Sequence, residues 1–118
     1  DGSFSRDFTY IDNVILMNLL CLTTENQEAL NQVYNTAAGE RTSLLELVKY
    51  LILHLSKYDD KIEKVEIQFG PLRKGDIPHS LASIEKAKEL LKYQDYTSFN
   101  QGIGKTAAWY LENLKIGS

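Results

Sequence analysis

Cysteine is nearly absent: Cys21 stands alone in 118 residues, which excludes an internal disulfide. Only two histidines occur, and none of the Cys/His spacings that hold zinc, so no metal site is expected. Long apolar runs are missing as well. The longest, around Val14 to Leu22, is too short and too polar to span a bilayer, and nothing resembles a signal peptide. A cytoplasmic protein without a membrane partner is therefore expected. An excess of basic charge is also lacking: the formal net charge of -3 argues against a broad nucleic-acid surface, while leaving room for a local anion site. Repeats, linkers and low-complexity segments are absent. The chain opens without a methionine, directly into a strand-like pattern, so an excised piece of a longer protein is expected.

What is present is ordinary for a globular domain: 43% hydrophobic and 25% charged residues, in a length that can bury a core. In "FSRDFTY", Phe4, Arg6, Phe8 and Tyr10 alternate with Ser5, Asp7 and Thr9, which predicts a strand. Asp12 is placed to cap a helix carrying Val14, Ile15, Leu19 and Leu22. "NQVYNTA" reads as a short second strand that breaks at Gly39. Ser43 and Glu46 have capping-box spacing ahead of a helix with Leu44, Leu47, Val48, Leu51, Ile52 and Leu55 on one stripe. "KVEIQFG" alternates again. Ser83 is read as the cap of a third helix, and Ser98 with Gln101 as a second capping box, before a closing helix through Leu114 and a frayed tail. These elements predict a single α/β domain over residues 1–118, α+β-like, with short strands and about four helices.

The polar positions admit two readings each. Arg6 shares a strand face with aromatics, so it either stacks on them and reaches solvent or is held there to grip an anion. In "PLRKGDIPHS", Arg73, Lys74, Gly75 and Asp76 form either a plain solvated turn or, together with Arg6, an edge with two guanidinium groups for a diphosphate and a carboxylate for a sugar hydroxyl. "GERTS" repeats the form, with Arg41 read as a surface residue beside a helix N-terminus. His54, off the main helical stripe, reads as structural. His79 has no serine or cysteine nucleophile signature beside it, so a structural or ligand-lining role is expected.

The order "SRDFTYIDN", "QVYNTAAGERTSLLEL", "GPLRKGDIPHSLASIEKAKELL" and "GIGKTAAWYLENL" resembles the C-terminal substrate-binding domain of NAD-dependent nucleotide-sugar epimerases, in the extended short-chain dehydrogenase/reductase superfamily. The likeness covers essentially the whole chain. "GERTSL" and the "HSLA" phrase resemble bacterial UDP-N-acetylglucosamine 4-epimerases most, including those acting on uronic acids for polysaccharide synthesis. The resemblance implies that Arg6 and Arg73 contact the diphosphate of a UDP-sugar, that Phe8 lines the same pocket and that Asp76 bonds the ribose. It places Leu44 near the nucleoside, with Arg41 approaching it. Ser80 matches a gate position whose small side chain leaves room for an N-acetyl group.

The family's catalytic parts are not written here. No Gly-x-x-Gly-x-x-Gly follows a strand, and Tyr50, Tyr58, Tyr93, Tyr96 and Tyr110 are followed four residues on by His54, Ile62, Thr97, Asn100 and Leu114 rather than by lysine. The resemblance thus implies a fragment that is inactive alone, without catalytic or cofactor-binding residues of its own. NAD and the chemistry would belong to an absent N-terminal Rossmann domain, in a homodimeric whole. The same lobe of a dehydratase, decarboxylase or reductase is the near alternative. A non-catalytic α/β interaction domain is the distant one, and it predicts that Arg6, Arg73 and Asp76 are scattered.

Overall fold

The computed structural model describes residues 1–114; the tail expected beyond Leu114 lies outside them. Four helices dominate: α1 (Ile11–Thr23), α2 (Leu44–Leu55), α3 (Glu85–Leu91) and α4 (Phe99–Leu114). Two strands of two residues each, β1 (Ser5–Arg6) and β2 (Thr42–Ser43), pair antiparallel, with Ser5 opposite Ser43 and Arg6 opposite Thr42. Short 3₁₀ turns occupy Gln27–Ala29 and Asp60–Lys64. The mixed architecture of four helices with short strands is the one expected.

The helices form where local chemistry demands them. At α2 the Ser43 hydroxyl accepts from the Glu46 amide at 3.1 Å, and the Glu46 carboxylate accepts from the Ser43 amide at 2.7 Å. This is the reciprocal capping box read from the sequence. Ser98 and Gln101 exchange the same two bonds, each at a long 3.4 Å, ahead of α4. The Phe99 amide there also donates to the Glu40 carboxylate at 3.0 Å. Tyr50 meets Phe99 edge-on at 5.4 Å, joining α2 to α4. Gly102 lets Tyr10 lie directly against the α4 backbone, since a Cβ there would stand 2.8 Å from the Tyr10 Cβ. His54, half-buried, sits against Gly104 with its Nε2 3.2 Å from the Asn100 side-chain oxygen.

A separate core gathers Met17 of α1, Ala29, Ala37, Ile84, Ala87, Leu91 and Tyr93. Tyr93 is fully buried and donates its hydroxyl to the Ala37 carbonyl at 2.9 Å. Burial, then the neighbouring Tyr96 and Asp7, pushes its pKa up to about 12, so it remains a neutral donor.

Five local expectations need correction. β1 stops at Arg6, so the alternation from Phe4 to Tyr10 does not continue as a strand. Residues 31–37 are not extended pairing strand: Asn31 takes a positive φ of 55° and Val33 is 84% exposed. "KVEIQFG" likewise has no ladder partner among the described residues; Val65 and Phe69 face solvent, and alternation without a neighbouring strand cannot satisfy the backbone. The capping residues also differ for two helices. Tyr10, not Asp12, precedes α1, and Asp12 lies in the first turn, where its charge still complements the helix dipole. Ile84, not Ser83, precedes α3, with no side-chain cap.

Candidate functional site

Ser5 is the anchor from which the site is built. Its amide donates to the Pro78 carbonyl at 2.9 Å, and its carbonyl accepts from the Ser80 amide at 3.1 Å. Its hydroxyl pairs with His79 Nδ1 at 2.8 Å. Ser5 and His79 therefore form a parallel bridge on the side of β1 opposite β2. His79 helps fix this register, which fits the structural one of the two roles the sequence allowed.

That bridge holds the preceding turn beside β1. The Asp76 amide donates to the Arg73 carbonyl at 3.2 Å, closing a four-residue turn with Gly75 at φ +84° in its third position. This is the geometry of a type II turn, which calls for glycine there. Arg73 and Asp76 thus stand at the two ends of one tight turn. Asp76 Oδ1 receives the Arg6 Nη2 group at 2.5 Å, and Arg6 Nη1 also donates to the Ser5 carbonyl at 2.8 Å. Both side chains remain about one-third exposed.

Beside this pair opens a cleft of about 510 Å³. Arg6, Arg73, Asp76 and Leu44 all line it; Phe4 and Phe69 are among its apolar walls. Two guanidinium groups, one carboxylate and apolar surface in one cleft suit an anionic ligand with an apolar or aromatic part. The other three residues singled out in the sequence lie elsewhere. Phe8 turns into the α2–α4 seam and packs on Phe99 at 5.6 Å. Arg41 is exposed and does not line the cleft. Ser80 is exposed past the bridge, joined to Ser5 through its backbone. The cleft walls Phe4, Phe69 and Val48 were not singled out beforehand, because their alternation and stripe read only as strand and helix pattern.

No feature for a dinucleotide accompanies this cleft. The sheet among the described residues has two antiparallel strands, with no parallel βα unit and no glycine-rich turn into a helix where a pyrophosphate would rest. The residues present do not fit NAD, and no step through it arises from this chain. No described helix is long and apolar enough to cross a membrane.

No protein-family model matches the chain. It is 27% identical over 116 residues to UDP-glucuronate 4-epimerase of Thermodesulfobacterium geofontis, which covers 98% of this chain and 33% of the relative. The fold superposes on UDP-glucose 4-epimerase of Thermotoga maritima, solved with UDP-glucose, with a TM-score of 0.80 and 32% identity over 97% of this chain and 34% of that one. It also superposes on UDP-glucuronic acid 4-epimerase of Bacillus cereus, solved with UDP-glucuronic acid and NAD. There the TM-score is 0.72, with 28% identity over 97% of this chain and 34% of the other. The chain spans about a third of the length of the relatives it matches. Over nearly all of its own length, it is homologous to UDP-sugar 4-epimerases of the short-chain dehydrogenase/reductase superfamily.

Proposed function

We propose that this chain is the C-terminal, UDP-sugar-binding lobe of a nucleotide-sugar 4-epimerase, working with an N-terminal NAD-binding domain that it does not contain. The observation that carries the reading is the convergence of Arg6, Arg73, Asp76 and Leu44 on one cleft. A non-catalytic interaction domain gives no reason for these four residues to line one cleft. In this reading Arg6 and Arg73 hold the diphosphate, Asp76 accepts from the ribose, and Leu44 offers an apolar face to the nucleoside. The lobe supplies binding energy and positions the sugar, and the hydride and proton transfers occur on the other domain. Phe8 and Arg41 lie outside the cleft lining, so this geometry lends no support to a pocket-lining role for Phe8 or to an approach of Arg41 to the nucleoside. The small Ser80 side chain favours UDP-N-acetylhexosamines, or their uronic acids, as substrates.

Surface properties support a missing domain. The chain exposes 8894 Å², against roughly 6,500 Å² for a compact folded monomer of this size. Its radius of gyration is 17.4 Å, where about 13–14 Å is usual for this length. The outer face of α1 carries Ile11, Ile15, Leu19 and Leu22, all more than half exposed and spaced to form one stripe. The inner face holds Asn13 and Met17. Ile11 shares a surface groove with Trp109 and Tyr110 of α4, which extends the apolar surface. A helix apolar on both faces is the pattern of one meant to be covered on both.

The test is product analysis with the longer protein that carries this segment. Incubated with NAD and either UDP-GlcNAc or UDP-glucuronate, it is expected to form the C4 epimer. Absence of an epimer from both substrates contradicts the reading, and epimerisation of the glucuronate alone contradicts the N-acetylhexosamine assignment.

A further inference from the structure

A carboxylate beside two guanidinium groups works against an incoming phosphate, and its position in this cleft calls for a reason. Asp76 already has a partner with no ligand present: its Oδ1 takes the Arg6 Nη2 group at 2.5 Å. The other terminal nitrogen of Arg6 is spent on the Ser5 carbonyl at 2.8 Å. Two anchors on one planar group fix both its position and its rotation. A guanidinium carries five N–H donors, so three remain for a ligand, and a carboxylate so engaged keeps its second oxygen.

Resting on the nucleotide reading of the cleft, we infer that Asp76 is a positioning residue for Arg6, holding its guanidinium in the orientation that receives the diphosphate. The backbone supports the same arrangement from the other side. Ser5 is bound to Pro78 and Ser80 through its amide and carbonyl, so the segment bearing Asp76 is fastened to the strand bearing Arg6. The turn closed between Arg73 and Asp76 brings the second guanidinium into the same frame. Asp76 thus preorganises Arg6 before any ligand arrives, at the cost of one negative charge near the phosphates.

Inorganic pyrophosphate separates this role from ribose binding, because it has no ribose. Titrations of the ¹⁵N-labelled chain with pyrophosphate, UDP and uridine, followed by amide and guanidinium shifts, would compare wild type, Asp76→Asn, Arg6→Ala and the double variant. Asp76→Asn removes a repulsive charge, yet positioning predicts that pyrophosphate binding weakens about fivefold, and that this loss disappears in the Arg6→Ala background. The same non-additivity is expected for UDP. Pyrophosphate binding that tightens in Asp76→Asn, with uridine binding lost, overturns the inference and leaves Asp76 a ribose ligand only. Additive effects of the two substitutions on UDP overturn it as well, while leaving the nucleotide reading in place. No response to either UDP or pyrophosphate removes both. Asp76 lies on an exposed turn, so an unchanged spectrum outside the cleft verifies that the variants are folded.

Discussion

Gly75 and Gly102 show two different demands on a residue without a side chain. Gly75 stands at φ +84° with nothing within 4 Å of a built Cβ, so alanine there meets only conformational strain, about 1–2 kcal/mol. The turn is exposed and packs against no part of the helical core. Gly75→Ala is therefore expected to shift the amide resonances of residues 73–76 and weaken UDP binding, with the unfolding midpoint of the helical core little changed. Gly102 is the reverse case, limited by space against Tyr10. Gly102→Ala should destabilise the fold by about 1–3 kcal/mol in urea unfolding, because a packed aromatic must move. Tyr93→Phe should cost about 1–2 kcal/mol, since the buried Ala37 carbonyl loses its donor. The charged turn was legible as a turn from its prolines and glycine, but its placement beside Arg6 could be read only from the order of the motifs along the chain. Asn13 was not legible. It is 1% exposed and clamps Thr97 with two hydrogen bonds of 2.7 and 2.8 Å, and a partner 84 residues away leaves no local signal.

The helices and strands differ in how they are specified. α2 is written locally, in Ser43, Glu46 and the stripe behind them, and it forms as read. Ser43→Ala should cost about 1 kcal/mol of stability. The Ser43 amide, and then its hydroxyl, hold the Glu46 carboxyl below its ordinary pKa. A lowered pKa in the folded state means the contribution is complete above the unfolded value and fades as pH falls through the folded one. Urea unfolding followed by helical circular dichroism should therefore show a gap between wild type and Ser43→Ala at neutral pH. The gap should narrow once the medium is acid enough to protonate Glu46. Strands carry no such local instruction. β1 needs β2, 37 residues away, and it ends where that partner ends. The alternation of "KVEIQFG" is compatible with a strand, but without a neighbour the segment stays unpaired. The candidate site was legible through its charged residues and their motif order, whereas its apolar walls lie on this unpaired segment, on α2 and at Phe4 just ahead of β1.

The chain taken entire exposes about 2,400 Å² more than a compact monomer of its size, comparable to a large protein interface. If the α1 stripe is covered by a second domain, Ile15→Asp with Leu19→Asp should leave the 118-residue chain folded, because both side chains already face water. The same pair in the longer protein should lower its melting temperature and separate the unfolding of its two domains. Equal tolerance in both settings contradicts the covered-face account. The most direct test of the central claim is a titration of the ¹⁵N-labelled chain with UDP. The account predicts binding weaker than micromolar, with shifts centred on Arg6, Leu44, Arg73 and Asp76. Arg73→Ala should weaken it by about 1.5–3 kcal/mol. Shifts scattered away from the cleft, or sub-micromolar binding indifferent to Arg73→Ala, would contradict it.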